Sequence, residues 1–414
     1  MAGEMARGPR PRPSPRKVTM APCPSFLAGV LAACFLFAGC AQVPIRLPVT
    51  VAPQTPLPQR SLELGPTTVA YLSELEPVRS SAGNGPVLGL HFSSETGALQ
   101  AVYGASGTLV RWDLRSRSIL SEYVLGIRAG DSLRFDASGS MLLGVMTSTA
   151  GSQDELGADH YLSGVGIWDT LSGETLYCVV RPCDEGPSDD APSQYPSLSI
   201  GADMDRAGTW ALDYSSTAIS FDDLRSNDRG QTLLLEDPDH SLRIASVALD
   251  PTGARYAIAF RHGSVTVRRR WIDPFGSLLA ITLPGDVDED LAVSDMRFSN
   301  DGRYLAAIRG EDLRVWKLGP LTGSEVIGES IPGALLVQFN ATDDLLAVAT
   351  SDSILIFDLP EGSLAASITA PDLTSIAFDT ANYLLLWGDR QGVVHLLQVD
   401  PGHAMNYSLG PGEP

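Results

Sequence analysis

Residues Val293–Leu318 read VSDMRFSNDGRYLAAIRGEDLRVWKL, and their spacing decides the fold. Val293–Phe298 alternates apolar and polar residues. Ser299-Asn300-Asp301-Gly302 interrupts it, and Asp-Gly is a strong hairpin-turn signal. Tyr304–Ile308 is a second, mostly apolar run. Gly310-Glu311-Asp312 turns again, and Leu313–Leu318 forms a third run carrying Trp316. The apolar spacing is two and turns recur within about ten residues, which no helix period fits.

The unit recurs. A large apolar residue, then Ser, Asp or Asn, two variable residues and a turn former appear at Phe135–Gly139, Met204–Gly208, Leu249–Gly253, Phe298–Gly302, Phe339–Asp343 and Phe378–Asn382. Phe92–Gly97 is a seventh copy with one extra residue. The mean spacing is (382 − 97)/6, or 47.5 residues. Each copy is followed by an apolar run, a turn and a third run. That run ends near Trp112-Asp113, Trp168-Asp169, Phe221-Asp222, Trp316-Lys317 or Phe357-Asp358; the two weak copies place Arg268-Arg269 and Leu397-Gln398 there. A period of this length, holding four strands, predicts the blades of an all-β, seven-bladed β-propeller.

Trp112-Asp113 and Trp168-Asp169 match the dipeptide that names the WD40 family, and the repeat resembles that family over about Ser61 to Ser408. The resemblance implies a ring closed by a strand from the N-terminus. Thr67–Leu75, TTVAYLSEL, is the strand-like run in place to become the outer strand of the last blade. Trp112, Trp168, Phe221, Trp316 and Phe357 are expected in the core between blades. The Gly-His pair that opens many WD40 blades is missing from every copy, as in degenerate bacterial WD40-like propellers, so the blades are expected to rely on apolar packing.

The N-terminus reads as a targeting segment. Arg7–Lys17 is basic, and Phe26–Phe37 is apolar but too short to span a bilayer as a helix. Phe37-Ala38-Gly39-Cys40 resembles the lipobox of bacterial lipoproteins, with phenylalanine where leucine is usual. That resemblance implies removal of residues 1–39 and lipidation of Cys40, and hence an exported protein anchored to the cell membrane or outer membrane. An ordinary signal peptide is the alternative. Residues 40–60, Pro-rich and without a period, then read as a tether. Residues 61–408 form the propeller, and 409–414 a disordered tail.

The formal net charge is −20. Residues 1–39 carry five basic side chains and one acid, so the processed chain is at −24 (−20 − 4). That charge disfavours nucleic acid as a partner and favours basic proteins or cations. In a propeller whose chain runs outer strand first, the longest connections share one face. They carry Asp154, Asp159, Asp184, Glu185, Asp189, Asp190, Asp286, Asp288 and Asp290, an acidic rim expected to bind a protein partner. An acidic solvated loop set with no partner is the alternative. Cys178 and Cys183 are expected to form a disulfide stapling one of these connections in an oxidising compartment.

No metal or cofactor is expected. Asp286-x-Asp288-x-Asp290 lacks the glycine and distal glutamate of an EF-hand, and the six histidines show no ligand spacing. There is no G-x-S-x-G elbow or Gly-rich phosphate loop, so the chain reads as a monomeric binding scaffold rather than an enzyme. A propeller hydrolase, a quinoprotein or a small-solute sensor, with its site at the central channel, is the alternative reading; fold alone does not separate them.

Overall fold

The repeated turn is built by one side chain. In Ser299-Asn300-Asp301-Gly302 the Ser299 hydroxyl accepts from the Tyr304 amide at 2.9 Å, and Gly302 takes a positive φ of 69°. The same acceptor position is filled by Asp136, Asp205, Asp250, Asn340 and Asp379, each bonding the amide five residues on. A short polar side chain that bonds the backbone locally favours a turn over continued strand. Glycine suits the left-handed position because it has no Cβ to clash.

These turns divide the chain into strands. The computed structural model describes residues 72–79, 85–104, 107–125, 133–153, 159–182, 201–216, 218–226, 232–234, 243–261, 263–270, 281–283, 293–319, 323–381 and 384–399. The chain divides into Met1–Gln42 and Val43–Pro414, and all described residues belong to the second unit. Strand β1 (Leu72–Arg79) precedes the repeats. Blade 1 holds β2 (Val87–Ser93), β3 (Ala98–Tyr103), β4 (Thr108–Asp113) and β5 (Ser118–Val124). Blade 2 holds β6 (Leu133–Phe135), β7 (Met141–Gln153), β8 (Asp159–Asp169) and β9 (Thr175–Pro182). Blade 3 holds β10 (Gly201–Met204), β11 (Trp210–Tyr214), β12 (Ala218–Asp223) and β13 (Thr232–Leu234). Blade 4 holds β14 (Ile244–Leu249), β15 (Arg255–Phe260), β16 (Val265–Arg269) and β17 (Ile281–Leu283). Blade 5 holds β18 (Val293–Phe298), β19 (Tyr304–Arg309), β20 (Asp312–Leu318) and β21 (Gly323–Ser330). Blade 6 holds β22 (Leu336–Phe339), β23 (Leu345–Ala349), β24 (Ser353–Asp358) and β25 (Ser363–Thr369). Blade 7 holds β26 (Leu373–Phe378), β27 (Leu384–Asp389) and β28 (Val393–Val399).

Seven antiparallel four-stranded sheets result, six of them in chain order; in the seventh the order is β1-β28-β27-β26. Leu72 pairs with Val399 and Arg79 with Val393. Among the described residues the strand runs on to Arg79, past the Leu75 expected as its end, and residues 67–71 fall outside them. Val78 is buried and Leu75 half-buried against the core shared by blades 7 and 1, which favours pairing beyond Leu75. Pro77 sits exposed where the pairing shifts between Leu75 and Val78, as befits a residue without an N–H on an outer strand.

Seven apolar clusters fill the interfaces between neighbouring blades, including blade 7 against blade 1, so the ring is continuous. Trp112, Trp168, Trp316 and Phe357 each face the preceding blade and are nearly fully buried. Burying such a side chain contributes about 1.5–3 kcal/mol. Phe221 is also buried but departs from the expected equivalence. In the strand registers Leu99 pairs with Trp112 and Leu142 with Trp168, whereas Ala211, the matching residue of blade 3, pairs with Asp222. Phe221 lies one residue earlier and therefore points to the other side of its sheet. Its ring meets Tyr256 of the next blade edge-on, centroids 5.0 Å apart.

Polar bonds also join the blades, beyond the apolar packing expected. They run between the turns of adjacent repeats. The Ala137 amide donates to the Arg206 carbonyl at 3.0 Å, and the Arg206 amide to the Pro251 carbonyl at 3.2 Å. Asp343 accepts from the Asn300 and Asp301 amides, both at 2.8 Å.

Blade 2 is the longest. Its β7–β8 hairpin stays paired out to Gln153 and Asp159, and β9 follows β8 as far as Pro182. Asp159 thus opens a strand at the hairpin tip. Asp154, Asp184, Glu185, Asp189, Asp190, Asp286, Asp288 and Asp290 lie outside the described residues. So do residues 1–71, with Cys40, and Cys183, the expected partner of Cys178 on β9.

Candidate functional site

The innermost strand of each blade borders a central channel of about 1030 Å³. The residue just before each repeat's apolar anchor makes one layer around it. That position holds His91, Arg134, Asp203, Ala248, Arg297, Gln338 and Ala377 in blade order. All but Ala248 line the channel. Of β18, Ser294, Arg297 and Phe298 line the channel, while Val293 and Met296 pack between the sheets.

Four of these side chains form a bridge together with Asp295, which sits two residues before Arg297. Arg134 extends from blade 2 and places Nε 3.3 Å from Asp203 Oδ1 of blade 3. Its Nη2 lies 3.5 Å from Asp295 Oδ1 of blade 5, so it reaches across the ring. The small Ala248 of blade 4 stands at the layer position between these two partners. Arg297 Nε is 3.7 Å from Asp295 Oδ2, and its Nη1 donates to Gln338 Oε1 of blade 6. The acids are held by the backbone as well. The Leu249 amide donates to Asp203 Oδ2 at 2.8 Å, and the Val337 amide to Asp295 Oδ2 at 2.9 Å. Both amides come from the next blade, so the bridge also fastens blade 3 to 4 and blade 5 to 6.

The electrostatics follow from burial. Loss of hydration raises the Asp203 pKa above the ordinary carboxylate value, against the pull of Arg134 and the backbone donors. Arg297 is pulled down to about 10, first by burial and then by repulsion from Arg134, while Asp295 and Asp203 oppose the shift. Two cations and two anions thus share a weakly hydrated space and neutralise one another. His91 completes the layer on the open side. Its Nε2 lies 3.3 Å from the Ala137 carbonyl, its ring packs against Phe135 at 5.6 Å, and burial lowers its pKa.

The arrangement suits cross-ring bracing. Each carboxylate is committed to an arginine and a backbone amide, and no serine or cysteine nucleophile stands beside His91 among the contacts described. Among the described residues no group of three His, Cys, Asp or Glu side chains could hold a metal ion. Reading the repeats in column at the position before the apolar anchor would have pointed to Arg134, Asp203 and Arg297, because charge recurs there where the other four copies have Ala, Gln or His, although Asp295 lies outside that column.

No protein-family model matches the sequence, and no curated protein matches it. Among solved structures, it is similar to the crystal structure of the Myceliophteria thermophila Cps50 (Swd1) beta-propeller domain. The TM-score is 0.56 at 15% identity, covering 80% of this chain and 100% of that one. At that identity the likeness concerns the fold alone. The chain is an all-β, seven-bladed β-propeller with a WD40-type structural neighbour.

Proposed function

We propose that this protein is an extracytoplasmic binding scaffold, lipid-anchored through Cys40, that engages a protein partner through its acidic connections rather than turning over a substrate in its channel. The observation that carries the reading is the state of the channel. Its charges, buried Asp295 and half-buried Arg134, Arg297 and Asp203, are spent on one another. A hydrolase or quinoprotein needs free groups converging on a reacting atom. Anchoring rests on the basic segment, the apolar stretch and Cys40 in Phe37-Ala38-Gly39-Cys40. Acyl chains contribute about 0.8 kcal/mol per buried CH₂, so more than one holds a protein durably on a membrane.

The test is cross-linking of the tagged protein on intact cells, compared with a variant carrying Asp184→Asn, Asp189→Asn, Asp286→Asn and Asp290→Asn. A defined partner recovered with the wild type and lost with the variant supports the scaffold. Equal recovery rejects the acidic rim. Cys40→Ala should move the protein from the membrane fraction to the soluble one, and retention on the membrane would reject the anchor.

A further inference from the structure

Strand direction fixes where the N-terminal segment meets the ring. β28 runs from its Val393 end, beside the Asp389–Gly392 turn, to Val399. β1 is antiparallel to it, with Leu72 against Val399. The chain therefore enters the propeller on the face that carries the Asx-type turns, such as Ser299–Gly302, together with the turns that follow the third strands. Hydrogen bonds between these two sets confirm that they share a face: the Leu114 amide donates to the Gly97 carbonyl, and the Leu318 amide to the Arg303 carbonyl. The segments 154–158, 183–200, 235–242 and 284–292 leave from strand ends on the opposite face.

Charge differs between the same two faces. Those four segments carry acidic residues and no Arg or Lys, and the described residues of that face expose Arg79, Arg243, Arg261 and Arg390 against Glu311, Glu329, Asp352 and Asp372. On the entry face the exposed cations among the described residues are Arg115, Arg206, Arg225, Arg269, Arg303 and Lys317. They outnumber the exposed acids Glu95, Glu174, Asp301 and Glu361, and Asp301 is paired with Arg303. The half-buried aspartates of this face are turned inward: Asp113, Asp169 and Asp223 each accept backbone amides of their own turns. A chain with a net charge of −20 thus offers one face that an anionic surface does not repel.

We infer that the entry face is a bilayer-facing surface, which holds the acidic face away from the membrane and toward solvent partners. The inference rests on the lipid-anchor reading of Cys40. Cys40 lies 32 positions before Leu72 (72 − 40), so a chain anchored at Cys40 arrives at this face before the far one, which stands a strand length of about 20 Å beyond it. The cations bias the choice further on anionic lipid.

The test is amide hydrogen exchange of the mature, acylated protein, in detergent and in vesicles of phosphatidylcholine and phosphatidylglycerol. Slowed exchange in vesicles is expected in the turns at 113–118, 169–174 and 358–363, and not in those at 309–312, 350–353 and 389–392. The variant Arg115→Glu, Arg225→Glu, Lys317→Glu, changed only at exposed positions, should lose that protection while remaining on the vesicles. Protection of the second set of turns, or of neither set, overturns the inference. Mass spectrometry of the mature N-terminus reads the anchor separately. A protein without acyl chains ends both readings, whereas an acylated protein protected on the wrong face ends the orientation alone.

Discussion

Replacing Asp295 by alanine isolates the bridge across the channel. Asp295 is 6% exposed and lies within ion-pair distance of both arginines, with Arg134 at 3.5 Å and Arg297 at 3.7 Å. It also accepts the Val337 amide of blade 6. The substitution leaves Arg134 and Arg297 facing each other with Asp203 as their remaining acidic partner, and it orphans a buried N–H. Breaking a buried ion pair from one side costs about 3–5 kcal/mol, because the surviving charge stays desolvated. For a large domain roughly 2 °C of melting temperature accompanies each kcal/mol, so a fall of about 6–10 °C is expected. Urea denaturation followed by tryptophan fluorescence gives the free-energy change, and calorimetry gives the melting temperature. The double variant Asp295→Ala, Arg297→Leu should recover part of the loss, since it removes a cation together with its partner. A single-variant loss below about 1 kcal/mol, or a double variant less stable than the single one, would refute the claim that the bridge carries compensated charge.

Four further outcomes are expected. His91 is held neutral by burial, so its native pKa lies below 6.5 and the unfolded chain binds a proton first. Wild type should then lose stability relative to His91→Phe as pH falls below 6.5, which melting curves between pH 5 and 8 would reveal. Gly139→Ala combines a φ of +70° with a Cβ 2.6 Å from the His91 ring, and should cost about 2 kcal/mol or more by urea titration. Asp343→Gly keeps the left-handed conformation, φ 60°, but strips the acceptor from the Asn300 and Asp301 amides; a loss of about 1–3 kcal/mol is expected by the same method. Deleting residues 61–79 bares the β28 edge and opens the blade 7–blade 1 core at Val78, so the single melting transition should broaden and shift downward, and a calorimetric trace matching the full chain would count against a closing role for β1.

The blades were legible because their signals are local. The left-handed backbone at Gly302 and Asp343 and the polar residue five positions before each second strand are set within one turn, so the repeat prints them in the sequence. Phe221-Asp222 misled because Asp223 follows. The pair imitates Trp-Asp, yet Asp223 caps the turn by accepting the Arg225 amide at 2.9 Å, which shifts the register by one and turns Phe221 toward the next blade. The bridge was hidden for a different reason. Arg134 and Asp295 are 161 positions apart (295 − 134). A polar alternation along an inner strand looks the same whether the polar side meets bulk solvent or a channel.

The two faces of the ring are also built on different terms, and this bears on where function can vary. On the entry face the turns of one repeat bond those of the next: Gln100 Nε2 donates to the Gly139 carbonyl at 2.8 Å, Arg255 Nη2 to the Gly302 carbonyl at 2.7 Å, and Asn300 Nδ2 to the Asn340 carbonyl at 2.7 Å. A residue inserted there breaks bonds in two blades at once, and each buried donor left unpaired costs about 1–3 kcal/mol. On the opposite face bonds also cross between blades, as where the Ile244 amide donates to the Ser216 carbonyl at 2.8 Å and Thr374 Oγ1 to the Val87 carbonyl at 2.7 Å, but they involve strand ends, and bonds between turns such as Leu125 to Gly107 and Ala370 to Asp352 stay within one blade. Lengthening a connection there leaves those strand-end bonds in place, and the entropy of the longer loop grows only slowly with its length. The extended β7–β8 hairpin and the acidic connections all arise from that second face. The knitted face acts as a fixed base, and new binding surface is added most cheaply on the side it does not hold.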